Sequence, residues 1–161
     1  MGKYHLTHKQ EREITDEAEV GRLLGDSKFA VIAMCRDNEP YVVTMSYGFD
    51  ESRNALYFHC ANHGMKIDFM RANPYVCATV IDDRGYFVNE CSHHYRTVVL
   101  RGKLSAVESL EEKRHGLTVM IDQLEENPGP RKEKVNKYDR EFDDFTILRL
   151  DIEDITAKHG K

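Results

Sequence analysis

Short apolar and alternating runs, separated by polar turns, occupy the first two thirds of the chain and predict β-strands. The predicted strands cover residues 29–36, 40–49, 55–60, 75–81, 95–107 and 145–152. Short polar loops at 37–39 and 50–54 join the first three strands, which predicts an antiparallel meander. No long helical pattern separates most of these strands, so the pattern disfavours a parallel doubly wound sheet and predicts a small antiparallel barrel.

Three helical patterns flank these strands, over about residues 16–24, 63–72 and 109–126. Ser109 and Glu112 form a capping box for the third helix. The pair Asn73-Pro74 ends the second, because a proline disfavours helix at the residue before it. Gly102 lies inside the fifth predicted strand and indicates a bulge or a barrel bend.

The remaining segments carry no clear periodicity. Residues 1–13 are predicted to form a polar N-terminal arm, 82–94 a polar loop and 128–144 a charged surface loop. The length of 161 residues suits one domain with one hydrophobic core. The expected fold is therefore a single domain over 1–161, mainly β with flanking helices (α+β) and six antiparallel strands.

Composition and charge narrow the classes of function. The formal net charge of -5 disfavours a general nucleic-acid binder, which is usually basic. No apolar run approaches the roughly 20 residues that a membrane helix needs, and the first dozen residues lack the apolar stretch of a secretory signal. The four cysteines show no CxxC spacing, which fits reduced thiols. A cytoplasmic protein without nucleic-acid or membrane partners is expected.

A candidate anion site follows the third predicted strand. The chain turns through Asn62, His63 and Gly64, and a helix begins near Lys66. The start of a helix offers backbone N–H groups without intrahelical partners and the positive end of the helix dipole. A lysine in that first turn makes the position suitable for a phosphate. A solvated lysine at an ordinary helix end would show the same pattern.

The second predicted strand has two chemically different faces. Thr44 and Ser46 share one face, whereas Val43, Met45 and Tyr47 share the other. The apolar face can pack in the core while the hydroxyl face lines a cleft. A barrel strand with its polar face in water has the same alternation.

Clustered histidines and cysteines raise the question of a metal. Cys91, His93 and His94 lie close in sequence, but this spacing is not a recognised set of paired ligands, and adjacent histidines of a strand point apart. A structural metal domain stays the weakest of the alternatives, and no metal ligand is predicted.

Several motifs, taken in order along nearly the whole chain from about Ile14 to Ile155, resemble the pyridoxamine 5'-phosphate oxidase-related flavoproteins. Within that family the chain looks most like the branch of the 5-nitroimidazole resistance (Nim) proteins. Each motif is weak alone, and their order and spacing carry the resemblance. The motifs are PYVVTMSY at 40–47, LYFHCA at 56–61, GMKID at 64–68, NPYVC at 73–77 and ECSHHYRTVV at 90–99.

The resemblance implies a six-stranded split β-barrel that forms a homodimer, with flavin mononucleotide (FMN) at the dimer interface. In the family, the strand equivalent to the second predicted strand runs beside the isoalloxazine, mainly through backbone contacts, and the equivalent of Lys66 binds the phosphate. The equivalent of His59 lies next to the flavin and the substrate pocket. The implied cofactor-binding residues are Val43, Thr44, Met45, Ser46, His59, Cys60, Ala61, Lys66, Arg96 and Thr97.

The chain departs from the family pattern at several positions. True pyridoxamine phosphate oxidases usually carry arginines where this chain has Val43 and Met65, so two phosphate-binding cations are missing. Their C-terminal segment with a tryptophan is absent, and this chain has no tryptophan. Nim-like chains commonly end near Thr-Gly-Lys, whereas this chain has Thr156-Ala157-Lys158. Oxidation of pyridoxamine phosphate is therefore not expected.

Two classes of function follow from the resemblance. The first is an FMN-dependent oxidoreductase that reduces a small organic substrate, with nitroaromatics among the candidates. His59 is then the candidate catalytic residue, either as a proton donor or as a hydrogen-bonding partner of the cofactor. The second is a non-catalytic flavin or haem binder in electron transfer or sensing, for which His59, His63, His93 or His94 could supply a haem ligand.

Overall fold

The protein was analysed as a computed structural model, which describes residues 10–137 and 139–160. Seven β-strands form one antiparallel sheet in the order β2-β1-β5-β6-β7-β4-β3. The strands are β1 Phe29–Arg36, β2 Glu39–Ser46, β3 Gly48–Asp50, β4 Ala55–Ala61, β5 Tyr75–Phe87, β6 Ser92–Ala106 and β7 Phe145–His159. The mainly β, antiparallel architecture predicted from the sequence is confirmed.

One bent segment closes this sheet into a barrel. Only Tyr47 separates β2 from β3, and β2 pairs with β1 while β3 pairs with β4. The two strands at the ends of the sheet are thus two halves of the strand predicted over 40–49. Tyr47 is buried, and its hydroxyl donates a hydrogen bond to the carbonyl oxygen of Leu24 at 2.7 Å. This inward turn at Tyr47 is why seven strands are observed where six were predicted.

Two hydrophobic clusters lie on opposite faces of β4. Leu56 and Phe58 point into the barrel, whose interior is closed by apolar residues of the first two helices. Ala55 and Tyr57 point outwards into a second cluster, which also contains Ile147 of β7. Burial on both faces explains why β4 reads as a continuous apolar run rather than an alternating one.

Four α-helices surround the barrel: α1 Glu17–Asp26, α2 Met65–Ala72, α3 Leu110–Leu124 and α4 Gly129–Lys137. The predicted capping of the third helix is confirmed, since the Ser109 side chain accepts a hydrogen bond from the backbone N–H of Glu112 at 3.2 Å. Asp16 caps α1 in the same way through Ala18, at 3.0 Å. These two helices thus start at their side-chain caps.

The predicted surface loop at 128–144 is wrong. Most of that segment forms α4 and a short 3-10 helix, Asp139–Phe142. The Arg114 guanidinium of α3 binds both the carbonyl oxygen of Val135 and the carboxylate of Asp139. Val135 is the buried residue of α4, so the helix lacks the repeated apolar stripe by which the sequence would reveal it.

The prediction of an N-terminal arm is wrong for residues 10–13, the part of it that the structure describes. Gln10–Arg12 form a short 3-10 helix, and Glu13 bridges to Lys158 of β7. The N–H of Ile14 donates to the carbonyl oxygen of Ala157 at 2.9 Å. Residues 1–9 of the predicted arm lie outside the described residues.

The predicted loop at 82–94 is instead a β-hairpin, because β5 and β6 continue pairing beyond the barrel as far as Phe87 and Ser92. Charged pairs join the two strands. Asp82 binds Arg96 at 2.8 Å, and Asp83 lies 2.7 Å from His93. Opposite charges across a ladder stabilise a strand pair that polar composition alone does not reveal.

Candidate functional site

The two main predicted segments lie on β2 and β4, which approach each other where the sheet closes into a barrel; the gap between these strands is called the cleft below. Gly48 of β3 pairs with Tyr57, which brings the end of β2 next to β4. Met45 and Cys60 are both buried in the barrel core. Ser46 and His59 are both exposed on the outer face. The strand at 43–46 and the end of β4 are near enough for one site, and their role in holding a cofactor stays a prediction.

β2 is an end strand of the sheet, and its bonded edge faces β1. The backbone N–H and C=O groups on its other edge have no partner strand in the described part of the sheet and face the cleft. Thr44 and Ser46 expose their hydroxyls beside that edge, whereas Val43 packs against the core. Val43 and Met45 are thus placed to contact a ligand through the backbone, and Thr44 and Ser46 through side chains as well.

An anion site at Lys66 stays a prediction, but the chain does turn into α2 just after β4, as the sequence indicated. Gly64 precedes α2 with φ 122°, a value that an L side chain rarely adopts, which explains the glycine. Its carbonyl oxygen accepts hydrogen bonds from the N–H groups of Ile67 at 2.9 Å and Asp68 at 3.1 Å. Lys66 lies in the first turn, where helix N–H groups and the dipole favour an anion.

His59 lies between aromatic and cationic neighbours. Its ring meets that of Phe145 edge-on, with centroids 5.9 Å apart. Partial burial lowers the pKa of His59 below its usual value of 6.5, and the charges of Arg131 and Lys66 lower it further. The imidazole is therefore neutral at neutral pH and becomes a proton donor only as the pH falls. At neutral pH it can accept a proton or form a neutral hydrogen bond.

Cys60 and Ala61 take different positions in the cleft. Cys60 is buried, and burial raises the pKa of its thiol, an effect that the charge of Lys66 partly offsets. The thiol therefore stays protonated in the core, and the backbone of Cys60 is what remains for a ligand. Ala61 is exposed at the end of β4, next to the turn that leads to Lys66.

Arg96 and Thr97 lie elsewhere on the barrel. The Arg96 guanidinium binds Asp82 at 2.8 Å and Glu19 of α1 at 3.2 Å, so its N–H groups already have hydrogen-bond acceptors within the protein. Thr97 pairs with Ile81 of β5, which places it three strands from Ser46, about 14 Å at the usual strand spacing. A cofactor contact for Arg96 and Thr97 stays a prediction.

The Thr97 hydroxyl is notable because it is buried without a hydrogen-bond partner among the described residues. Such a hydroxyl in a native structure calls for a water, a ligand or another chain as its partner. Exposed apolar side chains lie on the strands between Thr97 and the cleft: Phe29, Val42 and Ile81 are 52%, 60% and 47% exposed. This outer face is suited to being covered.

Sequence reasoning gave no role to Arg131, whose charge lowers the pKa of His59. It lies on α4, in the segment predicted as a loop, and its charge acts on His59. Its position depends on the packing of α4 against α3 and β7, and no motif in the sequence marks it.

The histidines considered as metal or haem ligands have other contacts. His93 lies 2.7 Å from Asp83, and His94 stacks on Phe87 with ring centroids 3.9 Å apart. Within residues 10–137 and 139–160, no three histidine, cysteine or acidic side chains come together in a way that could hold a metal ion. In the same residues, no helix is long and apolar enough to span a membrane.

A family model described as pyridoxamine 5'-phosphate oxidase matches residues 16–159, which include both edges of the cleft, α2 and α4. This chain belongs to the pyridoxamine 5'-phosphate oxidase family. The resemblance drawn from the order of the motifs is therefore confirmed. Val43 packs against the hydrophobic core and Met65 is an exposed apolar side chain, so neither position supplies a cation to the cleft.

Solved structures with the same fold include two with a TM-score of 0.77. A candidate 5-nitroimidazole antibiotic resistance protein from Bacteroides thetaiotaomicron is 21% identical, and the match covers 92% of this chain and 86% of that one. An FAD and haem binding protein from Mycobacterium smegmatis is 19% identical, with 93% and 74% covered. At these identities the likeness establishes the split-barrel fold alone.

A curated relative is closer in sequence over a shorter stretch. An uncharacterised protein of Rhizobium meliloti (strain 1021) is 30% identical over 99 residues, which is 62% of this chain. The match spans 60% of the length of that relative.

Proposed function

We propose that this chain is a flavoprotein that binds FMN in the cleft between β2 and β4. The observation that carries the proposal is the position of Lys66, in the first turn of α2 and just after the end of β4, together with the open edge of β2. A flavin needs both features, an anion site for its phosphate and a line of backbone donors and acceptors for its isoalloxazine. Membership of the family and the FAD named for the Mycobacterium smegmatis protein support a flavin as the cofactor.

The residues of the cleft fit these parts of the cofactor. Lys66 and the N–H groups of α2 would hold the phosphate. The backbone of β2 between Val43 and Ser46 would contact the polar edge of the isoalloxazine, and the exposed His59 would lie beside the ring. A bound flavin supplies hydride or electron transfer, and the protein binds, orients and shields it.

A titration with three flavins tests the cofactor. The apoprotein is titrated with FMN, FAD and riboflavin while flavin fluorescence is followed. We expect FMN to bind most tightly, because its terminal phosphate carries more charge than either phosphate of FAD and riboflavin has none. Equal affinity for FMN and riboflavin would contradict the assigned role of Lys66.

The homodimer with FMN at its interface is part of the same proposal. The outer face next to the cleft exposes Phe29, Val42 and Ile81, and the buried Thr97 hydroxyl lacks a partner among the described residues. A second copy would cover the apolar side chains and complete the wall of the cleft. Light scattering should give twice the chain mass of 18.7 kDa. A monomer that still holds the flavin would refute the interface site.

For activity, we propose reduction of a small organic acceptor, with nitroaromatics as the first class to test. His59 is placed to move a proton at the acceptor, through its ring nitrogen. His59→Asn should lower the rate at which a pre-reduced protein reduces a nitroaromatic by about 10²-fold, the lower range of general acid–base catalysis. The wild-type rate should rise as the pH falls, because the lowered pKa of His59 keeps the donor form scarce at neutral pH.

The control for this prediction is His63→Gln, at an exposed position in the turn between β4 and α2. It should leave the rate unchanged. If His59→Asn also leaves both the rate and its pH dependence unchanged, His59 only borders the cofactor.

The second candidate function is a non-catalytic flavin or haem binder in electron transfer or sensing. The similarity to a protein named for both FAD and haem favours it. His59 and His63 flank the cleft and are the histidines best placed for a haem ligand, because His93 and His94 contact Asp83 and Phe87. A haem Soret band in place of flavin bands would select this candidate.

A further inference from the structure

A gap in the wall of the barrel lies beside β7, away from the cleft. The Ile152 N–H of β7 donates to the carbonyl oxygen of Asn54, just before β4, at 3.1 Å. Further along the same strand, the carbonyl oxygen of Ala157 accepts from the N–H of Ile14 at 2.9 Å. Between these two hydrogen bonds, this edge of β7 pairs with none of the described strands. A cavity of about 550 Å³ opens at this gap, and its volume is typical of a small-molecule site.

The cavity lies at the opposite end of β4 from the proposed phosphate position. β4 begins at Ala55, next to the lining residue Asn54, and ends at Ala61, before the turn to Lys66. The length of this strand is about 20 Å at the usual rise per residue. The cavity is therefore a separate site from the cleft.

One side of the cavity is apolar. Five of its lining side chains belong to the barrel core or pack against it: Ile14, Val20, Leu24, Phe49 and Ile155. Ile14 and Leu24 are buried, whereas the other three keep part of their surface exposed. An apolar group placed in the cavity would leave water and lie against these side chains, which is favourable.

The charged side of the cavity is acidic, since its described charged residues are Glu13, Glu17 and Glu51. Glu17 lies four residues before Gly21, so the two positions share one face of α1. The Oε1 atom of Glu51 lies 3.6 Å from the place where a Cβ atom of Gly21 would be. Glu17 and the carboxylate of Glu51 therefore border the same part of α1, and two negative charges so placed favour a cation between them.

The neighbouring arginines do not neutralise these glutamates. Arg22 lies 3.9 Å from Asp16, and Arg53 lies 3.7 Å from Asp50 and 3.4 Å from Glu112. None of the three glutamates of the cavity forms an ion pair with a residue that the structure describes. Their charges are therefore available to a ligand.

The chemistry of the cavity suits an organic cation better than a metal ion. In the described part of the chain, no three acidic, histidine or cysteine side chains come close enough to hold a metal. An ammonium group can donate charge-assisted hydrogen bonds to two carboxylates, and an attached apolar body can lie against the opposite side.

We propose that this cavity binds a primary amine with an apolar body. The ammonium group lies between Glu17 and Glu51, and the apolar body lies against Phe49 and Ile155. This site goes beyond the proposed function and does not rest on the flavin, because no residue of the cleft takes part in it.

Calorimetric titration of the purified full chain tests the class of ligand. The ligands are phenethylamine and hexylamine, each compared with the alcohol of the same shape, and methylammonium as a cation without an apolar body. We expect each amine to bind about tenfold more tightly than its alcohol and than methylammonium, because only the amine satisfies both sides of the cavity. Added salt should weaken the binding of the amine. Equal affinity for amine and alcohol, or no binding of either amine, would overturn the proposal.

Three substitutions test the position of the amine. Glu17→Gln and Glu51→Gln should each weaken its binding by about threefold or more, as expected for the loss of an exposed ion pair. Gly21→Leu keeps every charge but fills the space beside Glu51, so it should abolish amine binding. Glu126→Gln is the matched control, because it removes the same charge at an exposed position beyond α3, and it should bind the amine as the wild type does.

Thermal unfolding checks that each variant keeps its fold, and the two glutamine variants carry the test if Gly21→Leu does not fold. If Glu17→Gln and Glu51→Gln both bind the amine with wild-type affinity, the amine binds elsewhere and the site is refuted. A protein that binds amines through these glutamates but takes up no flavin refutes the proposed function and leaves the amine site standing.

Discussion

Lys66→Ala is expected to weaken FMN binding by about 1.5–3 kcal/mol, the range for losing a hydrogen bond to a charged group. This corresponds to roughly a 10- to 150-fold increase in the dissociation constant. The expectation follows from the first-turn position of Lys66 in α2, where the proposed phosphate would meet both the ammonium and the helix N–H groups. Fluorescence titration of the apoprotein with FMN measures it.

Arg71→Ala is the control for Lys66→Ala. Arg71 lies on the same helix but in its last turn, and it is exposed. Its removal should leave the FMN dissociation constant unchanged. Riboflavin provides a further check, because without a phosphate it should bind both variants and the wild type alike. An FMN affinity that Lys66→Ala does not alter would place the phosphate elsewhere.

Gly102→Ala is expected to destabilise the fold by about 3 kcal/mol, at the upper end of the cost of overpacking. The pairing of β6 with β7 shifts between Arg101 and Gly102, which confirms the bulge predicted from this glycine. A Cβ atom at Gly102 would lie 1.9 Å from the carbonyl oxygen of Asp151. Backbone atoms of β7 would have to move, and urea unfolding would measure the loss of free energy.

Gly25→Ala is the matched control, because a Cβ atom at Gly25 of α1 would meet nothing within 4 Å. This variant should be unchanged or more stable by about 0.4–1 kcal/mol, since alanine reduces the entropy of the unfolded chain. If both variants unfold at the same urea concentration, the close approach of β6 and β7 at Gly102 does not constrain the barrel.

The barrel could be predicted because its signals are local. Alternation, polar turns, the Ser109 cap and Gly102 each act within a few residues of their position in the sequence. The inward turn at Tyr47 could not be predicted, because its hydrogen bond reaches Leu24, 23 residues away. The hairpin beyond the barrel was missed since its strands are stabilised by cross-strand charges rather than by an apolar face.

In the candidate site too, the features with local signals could be predicted and those set by long-range packing could not. The place of Lys66 at the start of a helix could be predicted from one short motif, and the two faces of β2 from alternation. The position of Arg131 could not be predicted, because its helix, α4, has one buried residue, Val135, and is held by Arg114 of α3. Long-range packing of this kind leaves no periodic signal in the segment that it orders.

The absorption spectrum of the purified protein, before and after release of any chromophore by heat, tests the central claim most directly. The account predicts the two flavin bands, with free FMN in the supernatant and loss of the bands from the protein. A colourless protein that also takes up no added FMN or FAD would contradict the flavin assignment and leave the split barrel without its proposed cofactor.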